Sequence, residues 1–288
     1  MSEFLHLILH TLEHTFLDSI KMLPFLFGVY LLIEFLEHKA ENKVEDLLRR
    51  LGPFGPVGGA ALGCLPQCGF SVAASNLYSG RLISLGTLMA VFIATSDEAI
   101  PILLTNPGRG QDILRLLVAK MVIAVVAGLF IDAVLKFFRK RANEEAQPYS
   151  DLCENCGCEN HSILYSAFKH TLQIFIFLFA VSFVFGFVIE LVGEDMLNKV
   201  LMSGSLIQPF LAALIGLIPN CAPSVILTEL YVSGAVSFGS VVAGLSTGAG
   251  MGLVVLFKTN KNLKQNLAIM GVLYAIGAVS GLIINLVF

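Results

Sequence analysis

The sequence predicts an all-α, polytopic membrane protein made of two inverted repeats, each with three spanning helices and one broken, re-entrant helical hairpin, about ten helices in all. Two observations support this prediction. The 288 residues are 56% hydrophobic and 14% charged, whereas a soluble domain is about 25% charged. A motif that interrupts an apolar segment at 65–72 (LPQCGFSV) also recurs at 218–225 (IPNCAPSV).

The recurrence extends beyond this motif. At the same offset, Leu77-Tyr78 matches Leu230-Tyr231, and at a slightly larger offset His14-Thr15 matches His170-Thr171. A short deletion in the second half reconciles the two offsets. We therefore predict a first transmembrane repeat over 1–138, a Cys-rich linker over 139–161 and a second transmembrane repeat over 162–288.

Each half has the same predicted order of elements. A long helix precedes a short surface helix, an interrupted segment and two full spans. Pro66 and Pro219 interrupt their segments because proline lacks the N–H that continues a helix. The predicted ranges are 12–37, 40–50, 53–80, 84–104 and 113–138 in the first half, and 163–192, 194–202, 205–233, 237–257 and 266–287 in the second.

The number of crossings decides how the halves are related. A re-entrant hairpin leaves three crossings in each half, so the halves insert with opposite topology. Under this arrangement most Lys and Arg residues fall on one side, while the other side holds little beyond Arg109, Arg115 and Lys199. Cytoplasmic loops carry the excess of basic residues. We therefore predict a cell (inner) membrane protein with both termini outside the cytoplasm.

The two interruptions supply the first candidate site. Gln67, Cys68, Asn220 and Cys221 place two amides and two thiols at equivalent breaks, and Cys64 lies one turn earlier. Thiolate selects soft metals, and amide oxygens tolerate hard ones. The alternative is that cysteine serves here as a small residue for tight helix packing.

Two adjacent carboxylates form the second candidate. Thr95, Ser96, Asp97 and Glu98 lie inside the apolar span from Leu85 to Leu104, and the corresponding stretch beginning at Thr247 is polar but uncharged. Ionisable residues inside a membrane are costly and usually functional. One carboxylate would bind a cation and the other would carry a proton. The alternative is that the pair lies near a loop, since Pro101 soon follows.

A polar stripe on the first predicted helix is the third candidate. His14 and Asp18 belong to it, and His170 occupies the position of His14 in the second half. Histidine titrates near neutral pH, so these residues are candidates for a proton or ion path. The alternative is a polar interfacial face that precedes the true span.

The linker holds a fourth group. Cys153, Cys156, Cys158 and His161 offer three thiols and an imidazole after a basic run that we place in the cytoplasm. Thiols stay reduced there and more often bind metal than form disulfides. This spacing favours a sensor or capture site for zinc or another soft metal; the alternative is a disordered tether. Transport itself would require no cofactor.

Together the Pro-Gln-Cys-Gly and Pro-Asn-Cys-Ala-Pro breaks, the Thr-Ser-Asp-Glu-Ala stretch and the helix count resemble a bacterial and archaeal family of ten-span heavy-metal exporters. This family is related to arsenic permeases, and its members are labelled manganese transporters or arsenic efflux proteins. The resemblance covers essentially the whole chain and implies efflux of a metal or metalloid. Cysteine in the breaks fits arsenic(III), whereas Asp97, Glu98 and His14 fit manganese.

These features predict a secondary-active transporter, not an enzyme, that exports manganese, another divalent heavy metal or arsenic(III) by proton-coupled alternating access. One alternative is a transporter of a small anion or organic solute bound at the positive helix ends. Another is an intramembrane enzyme with Cys68 or Cys221 as nucleophile, although two equivalent cysteines argue against one nucleophile. A third is a metal sensor that works through the linker.

The expected partners are the ion and the lipid bilayer. No basic, aromatic-rich patch indicates nucleic-acid binding. The sequence leaves open whether the protein forms a homo-oligomer.

Overall fold

A computed structural model describes residues 54–64, 69–95, 99–105, 110–142, 163–192 and 206–287, together with single positions between 12 and 31. Within these ranges the regular structure is helical, which confirms the predicted all-α class. The helices are α1 (Gly55–Gly63), α2 (Gly69–Ser79), α3 (Leu85–Ala94), α4 (Ala99–Thr105), α5 (Gly110–Ala142), α6 (Ile163–Val192), α7 (Gln208–Gly216), α8 (Ala222–Val232), α9 (Phe238–Thr247), α10 (Met251–Thr259) and α11 (Leu263–Val287).

Several of these helices are long and apolar enough to cross a bilayer, which takes roughly 20 residues. By length and composition, four stretches of the described chain qualify: Leu85–Leu104, Gly110–Phe137, Phe238–Thr259 and Leu263–Val287. The helix α6 has the bounds predicted for the second long helix, 163–192. The predicted surface helices over 40–50 and 194–202 lie outside the described residues.

The two halves are built alike. The helices α1, α2, α3 and α5 begin 153 positions before α7, α8, α9 and α11, which is the offset of the sequence repeat. The same special backbone also recurs, because Arg81 and Gly234, at equivalent positions after α2 and α8, both have positive φ, 61° and 79°. The duplication read from the sequence is therefore also present in the folded chain.

The predicted full spans 84–104 and 237–257 are each interrupted, which corrects the expectation of continuous helices. In the first span, α3 ends at Ala94, because the ψ of Thr95 (127°) lies outside the helical region. The chain is helical again in α4. The second ends at Gly248 and resumes after Gly250, whose φ of 52° favours glycine. The structure thus pairs Thr95 with Gly248 as helix ends, so Thr247 corresponds to Ala94 and not to Thr95.

Equivalent polar bonds hold the start of α3 and α9. In the first half, Asp132 Oδ1 accepts from Gly86 N (2.8 Å) and Asp132 Oδ2 accepts from Ser84 Oγ (2.6 Å). In the second half, Asn285 Oδ1 accepts from Gly239 N (3.0 Å). A charged and a neutral side chain therefore do the same structural task, which is to bond the long helix to the start of the broken span.

This equivalence yields a prediction for Asp132. Asp132→Asn should be tolerated, with a change in unfolding free energy below about 1 kcal/mol, because Asn keeps the acceptor, whereas Asp132→Leu should cost about 1–3 kcal/mol by leaving Gly86 N unpaired. Thermal unfolding of purified protein in detergent measures both. Equal destabilisation by Asn and Leu would contradict the assigned role.

The helices α1 and α2 form a hairpin, and so do their equivalents α7 and α8. Residue numbers rise together along the contact between α1 and α3. A Cβ on Gly59 would lie 3.0 Å from Thr87 O, and one on Gly63 would lie 2.7 Å from Val91 O. The helices α1 and α3 therefore run in the same direction. After α2 the chain turns tightly, with Leu82 N donating to Leu77 O, and enters α3 directly. Since α2 returns to the start of α3, it runs opposite to α1.

The second arm of each hairpin packs on the other half. Ser75 Oγ donates to Gly252 O (2.7 Å), and Ser79 Oγ lies 2.7 Å from Thr259 Oγ1, so α2 runs alongside α10 in the same direction. In the same way, α8 packs against α4. This exchange of partners links the two halves through their hairpin arms. It brings α3 and α9 into contact at the centre, where residues of both halves share one core.

Candidate functional site

Helix ends from both halves meet at the centre of the molecule. The end of α1 lies against the end of α3, where a Cβ on Gly63 would come within 2.8 Å of Ala94 Cβ. The end of α7 lies against the end of α9, where a Cβ on Gly216 would come within 2.8 Å of the Gly244 carbonyl carbon. Main-chain groups freed at helix ends need partners, and inside a membrane those partners are protein groups, water or a bound ion.

A lysine occupies this centre. Lys120 of α5 has no exposed surface. Its Nζ donates to Leu245 O in the second half (2.7 Å) and to Thr95 O in the first. Both acceptors are main-chain carbonyls at or near a helix end, where the helix dipole is negative and favours positive charge. The site therefore already holds a cationic group between oxygen atoms of the two repeats.

The second half has no counterpart of this charge. The position equivalent to Lys120 is Leu273, which is also fully buried. Lys120 is not among the site residues that the sequence motifs predict. A signal was nevertheless available, since this lysine stands inside the apolar run of the predicted span 113–138, and an ionisable residue there indicates function.

The two threonines of the predicted site use their hydroxyl groups to hold helix ends. Thr95 Oγ1 donates to Val91 O (2.8 Å) within α3. Thr247 Oγ1 lies 2.8 Å from Ala213 O in α7 and 2.9 Å from Gly244 O. Both residues are buried. The carbonyl of Thr95, rather than its hydroxyl, is thus the group that contacts Lys120.

Cys64, Asn220 and Cys221 are the predicted site residues of the hairpin breaks that the structure describes. Asn220 Oδ1 accepts from Cys221 N (2.6 Å) and from Ala222 N (3.4 Å), so the amide oxygen caps the first turn of α8. Cys221 and Cys64 are half-buried thiols. Cys64, directly after α1, packs against the central core.

Two buried polar groups in the described chain have no hydrogen-bond partner: Ser246 Oγ and Asn76 Nδ2. Ser246 follows directly on Leu245, whose carbonyl contacts Lys120, and it is fully buried. Leaving a buried polar group unpaired costs about 1–3 kcal/mol. Such groups call for an explanation, and a bound ion or water is one.

Most of the other predicted site residues cannot be placed. Within the described part of the chain, no group of three His, Cys, Asp or Glu side chains is arranged to hold a metal. The side chain of His170 in α6 is also outside the description, and the assignment of metal, proton and substrate roles stays a prediction. The remaining residues outside the described ranges are His14, Asp18, Gln67, Cys68, Ser96, Asp97, Glu98, Cys153, Cys156, Cys158 and His161.

Comparison with known families gives one match. The model of the family described as "Putative, 10TM heavy-metal exporter" matches the chain in two overlapping segments, residues 3–191 and 159–288. Together the two segments cover nearly the whole sequence. No curated protein and no solved structure matches the chain significantly.

Proposed function

Because the chain belongs to the 10TM heavy-metal exporter family, we propose that it is a secondary-active transporter that exports a metal or metalloid ion across the cell membrane by alternating access. The observation that carries this proposal is Lys120, held between Thr95 O and Leu245 O where helix ends of both halves meet. Carbonyl oxygens that hold an ammonium group offer the same ligands to a metal cation. The ion would displace the lysine from them.

The proposed binding site lies between the two hairpin breaks, at Gln67, Cys68, Asn220 and Cys221. Asp97 or Glu98 would supply the negative charge, since they follow Thr95 closely in sequence. Thiols and carboxylates together suit borderline metals. Manganese, another divalent metal and arsenic(III) all remain candidates. Proton exchange through Asp97, Glu98 or His14 would drive export.

The inverted arrangement of the repeats is part of the same proposal, and helix directions support it. The helix α2 runs opposite to α3, and α10 runs with α2. Since α9 and α10 belong to one membrane-length stretch, Phe238–Thr259, α9 then runs opposite to α3. Equivalent helices with opposite directions are what inverted repeats require, and rocking one repeat against the other would expose the site to each side in turn.

The basic residues agree with this orientation. The helices α2 and α10 meet at their carboxyl ends, where Ser79 contacts Thr259. Arg81, Lys258 and Lys261 lie next to these ends in the sequence. Arg115 lies toward the opposite end of the molecule, on the first turns of α5. The former end would face the cytoplasm under the positive-inside rule.

The test measures metal export from vesicles that contain purified protein. Cys68→Ser, Cys221→Ser and Asp97→Asn should each lower export of the preferred metal by about tenfold or more, since losing a ligand or its support typically costs 10–100-fold. Cys153→Ser, the same change in the linker, is the matched control and should leave the rate unchanged. Deleting residues 150–161 should also preserve transport. Full export by all three site variants would refute this assignment.

A second candidate function is transport of a small anion or organic solute. Lys120 favours it, because its amine is a hydrogen-bond donor between the two halves from which an anionic ligand could accept. The same vesicles separate the two candidates. Uptake of small carboxylates or phosphate, with no movement of manganese, zinc or arsenic(III), would establish the second candidate and exclude the first.

A further inference from the structure

Each interrupted span presents a main-chain oxygen at its break. In a continuous helix Ala249 N would bond to Leu245 O, four residues earlier. Because α9 ends at the break, Ala249 N donates instead to Thr247 O (2.8 Å). In the other half, Thr95 directly follows α3, and its ψ of 127° turns the chain out of the helix. The breaks thus take Leu245 O and Thr95 O out of the regular helical pattern of hydrogen bonds.

The amine of Lys120 bonds to both of these oxygens. Its Nζ donates to Leu245 O (2.7 Å) and to Thr95 O, so one side chain joins the breaks of the two halves. All three residues are at most 3% exposed. Solvent is therefore kept away from this centre. Main-chain oxygens inside a membrane are costly to leave unpaired, so a closed centre of this kind needs a partner for each of them.

The equivalent helix crossing in the second half is filled without an amine. Leu273 occupies the position that corresponds to Lys120, is fully buried and packs in the main core. The crossing of α11 with α9 thus needs only an apolar side chain. Helix packing alone therefore gives no reason for an amine at position 120, whereas the two released oxygens do.

A further oxygen atom lies one residue from this contact. Ser246 follows Leu245 and is fully buried, and its Oγ has no hydrogen-bond partner among the described residues. A buried polar group of this kind calls for a partner such as water or an ion. Carbonyl oxygens are ligands that suit divalent cations such as Mn²⁺. The oxygens that now accept from the lysine would therefore also suit a metal ion.

We propose that the amine of Lys120 is a tethered substitute for the exported ion: it holds the Thr95 and Leu245 carbonyl oxygens after the ion has left, so that the metal-free transporter can close and return. This inference rests on the proposed function. In the loaded transporter the ion is the partner of these oxygens, and the amine is dispensable. In the metal-free transporter the amine is their partner while the centre is closed to solvent.

Two modes of transport separate these steps in vesicles. Net export of Mn²⁺ requires the metal-free return, whereas exchange of internal for external Mn²⁺ uses the loaded transporter in both directions. Lys120→Met should lower net export by at least about tenfold, because the return leaves two buried oxygens unpaired. Exchange should stay within about twofold of wild type. Leu273→Met, the same change at the equivalent position, is the matched control and should alter neither rate.

Equal loss of both modes would overturn this role, because a lysine that only supports the structure is needed in every step. Net export at the wild-type rate would overturn it as well. Lys120→Gln is the second variant and decides the matter if Lys120→Met does not fold. Its amide keeps an N–H donor on a shorter side chain, so the ratio of exchange to net export should still rise at least about threefold. A ratio equal to that of wild type would contradict the proposal.

Equilibrium binding gives a readout that does not depend on transport. Purified Lys120→Met should bind Mn²⁺ at least about threefold more tightly than wild type, because the metal no longer displaces a bonded amine. Leu273→Met should bind Mn²⁺ as wild type does. Unchanged or weaker binding by Lys120→Met would overturn the substitution of amine for ion.

The wild-type protein separates failure of this inference from failure of the proposed function. It is assayed for export of Mn²⁺, Zn²⁺ and arsenic(III). Export of arsenic(III) alone would leave the proposed function standing and overturn this inference, because a species held by thiols does not compete with the lysine for carbonyl oxygens. Export of none of the three would refute the proposed function itself. If Mn²⁺ is not carried but Zn²⁺ is, Zn²⁺ replaces it in the same assays, with the same outcomes expected.

Discussion

Replacing Lys120 with methionine should lower export by at least about tenfold while leaving the amount of folded protein nearly unchanged. A hydrogen bond to a charged group is worth about 1.5–3 kcal/mol, and 1.4 kcal/mol corresponds to tenfold in an equilibrium. The variant loses two such bonds, to Thr95 O and Leu245 O, which tie the halves together. Methionine has a similar length, so the space that this side chain fills in the packed centre stays occupied.

The matched control for this substitution is Leu273→Met, at the equivalent position of the second half. Leu273 is also fully buried, and exchange of leucine for methionine usually costs below about 1.5 kcal/mol. Export by this variant should stay close to wild type. Transport rates in vesicles, normalised to folded protein from size-exclusion chromatography, measure both variants. Normal export by Lys120→Met would remove the lysine from the mechanism.

Replacing Gly86 with alanine should destabilise the first half by about 1–3 kcal/mol, the usual cost of forcing extra atoms into a packed interface. A Cβ on Gly86 would lie 2.6 Å from Asp132 Oδ1 and closer still to the main-chain oxygen of Gly128. The Gly128 oxygen belongs to the main chain and the Asp132 carboxylate is held by Ser84 and Gly86, so α3 and α5 must separate. Small residues at such crossings let helix backbones approach closely in membranes.

Gly271→Ala is the control for this substitution. Gly271 lies in α11 with nothing near its missing Cβ, so alanine there should be neutral or stabilise by up to about 1 kcal/mol. Unfolding midpoints of the purified variants in one detergent give the comparison. Equal midpoints for Gly86→Ala and Gly271→Ala would show that the crossing of α3 and α5 does not limit stability. Gly239→Ala should behave like Gly86→Ala, since a Cβ there would lie 2.7 Å from Asn285 Cγ.

Much of the fold could be predicted because its signals are local in the sequence. Hydropathy alone places the long helices, and the predicted range 163–192 coincides with α6. The repeated motif also revealed the duplication, which the helix bounds repeat at the same offset. The breaks at Thr95 and Gly248 were missed, because an apolar stretch of spanning length gives the same signal whether it is continuous or interrupted.

The candidate site was harder to predict. Threonine hydroxyls and the Asn220 amide oxygen stood out in the sequence as polar groups inside apolar segments. In the structure Thr95, Thr247 and Asn220 use them to hold or cap helix ends. The groups that meet at the centre are largely main-chain carbonyls, which every residue carries. No residue type could have indicated them before the helix ends were placed in space.

By itself, the sequence determined that this is a helical, multi-span membrane protein of two similar halves and a member of a heavy-metal exporter family. Those properties depend on composition, on periodicity and on motifs a few residues long. Only the tertiary structure decided that Lys120 bridges the halves. Leu245 is 125 positions from Lys120, and a contact over that separation depends on how the helices pack, which local sequence patterns do not encode.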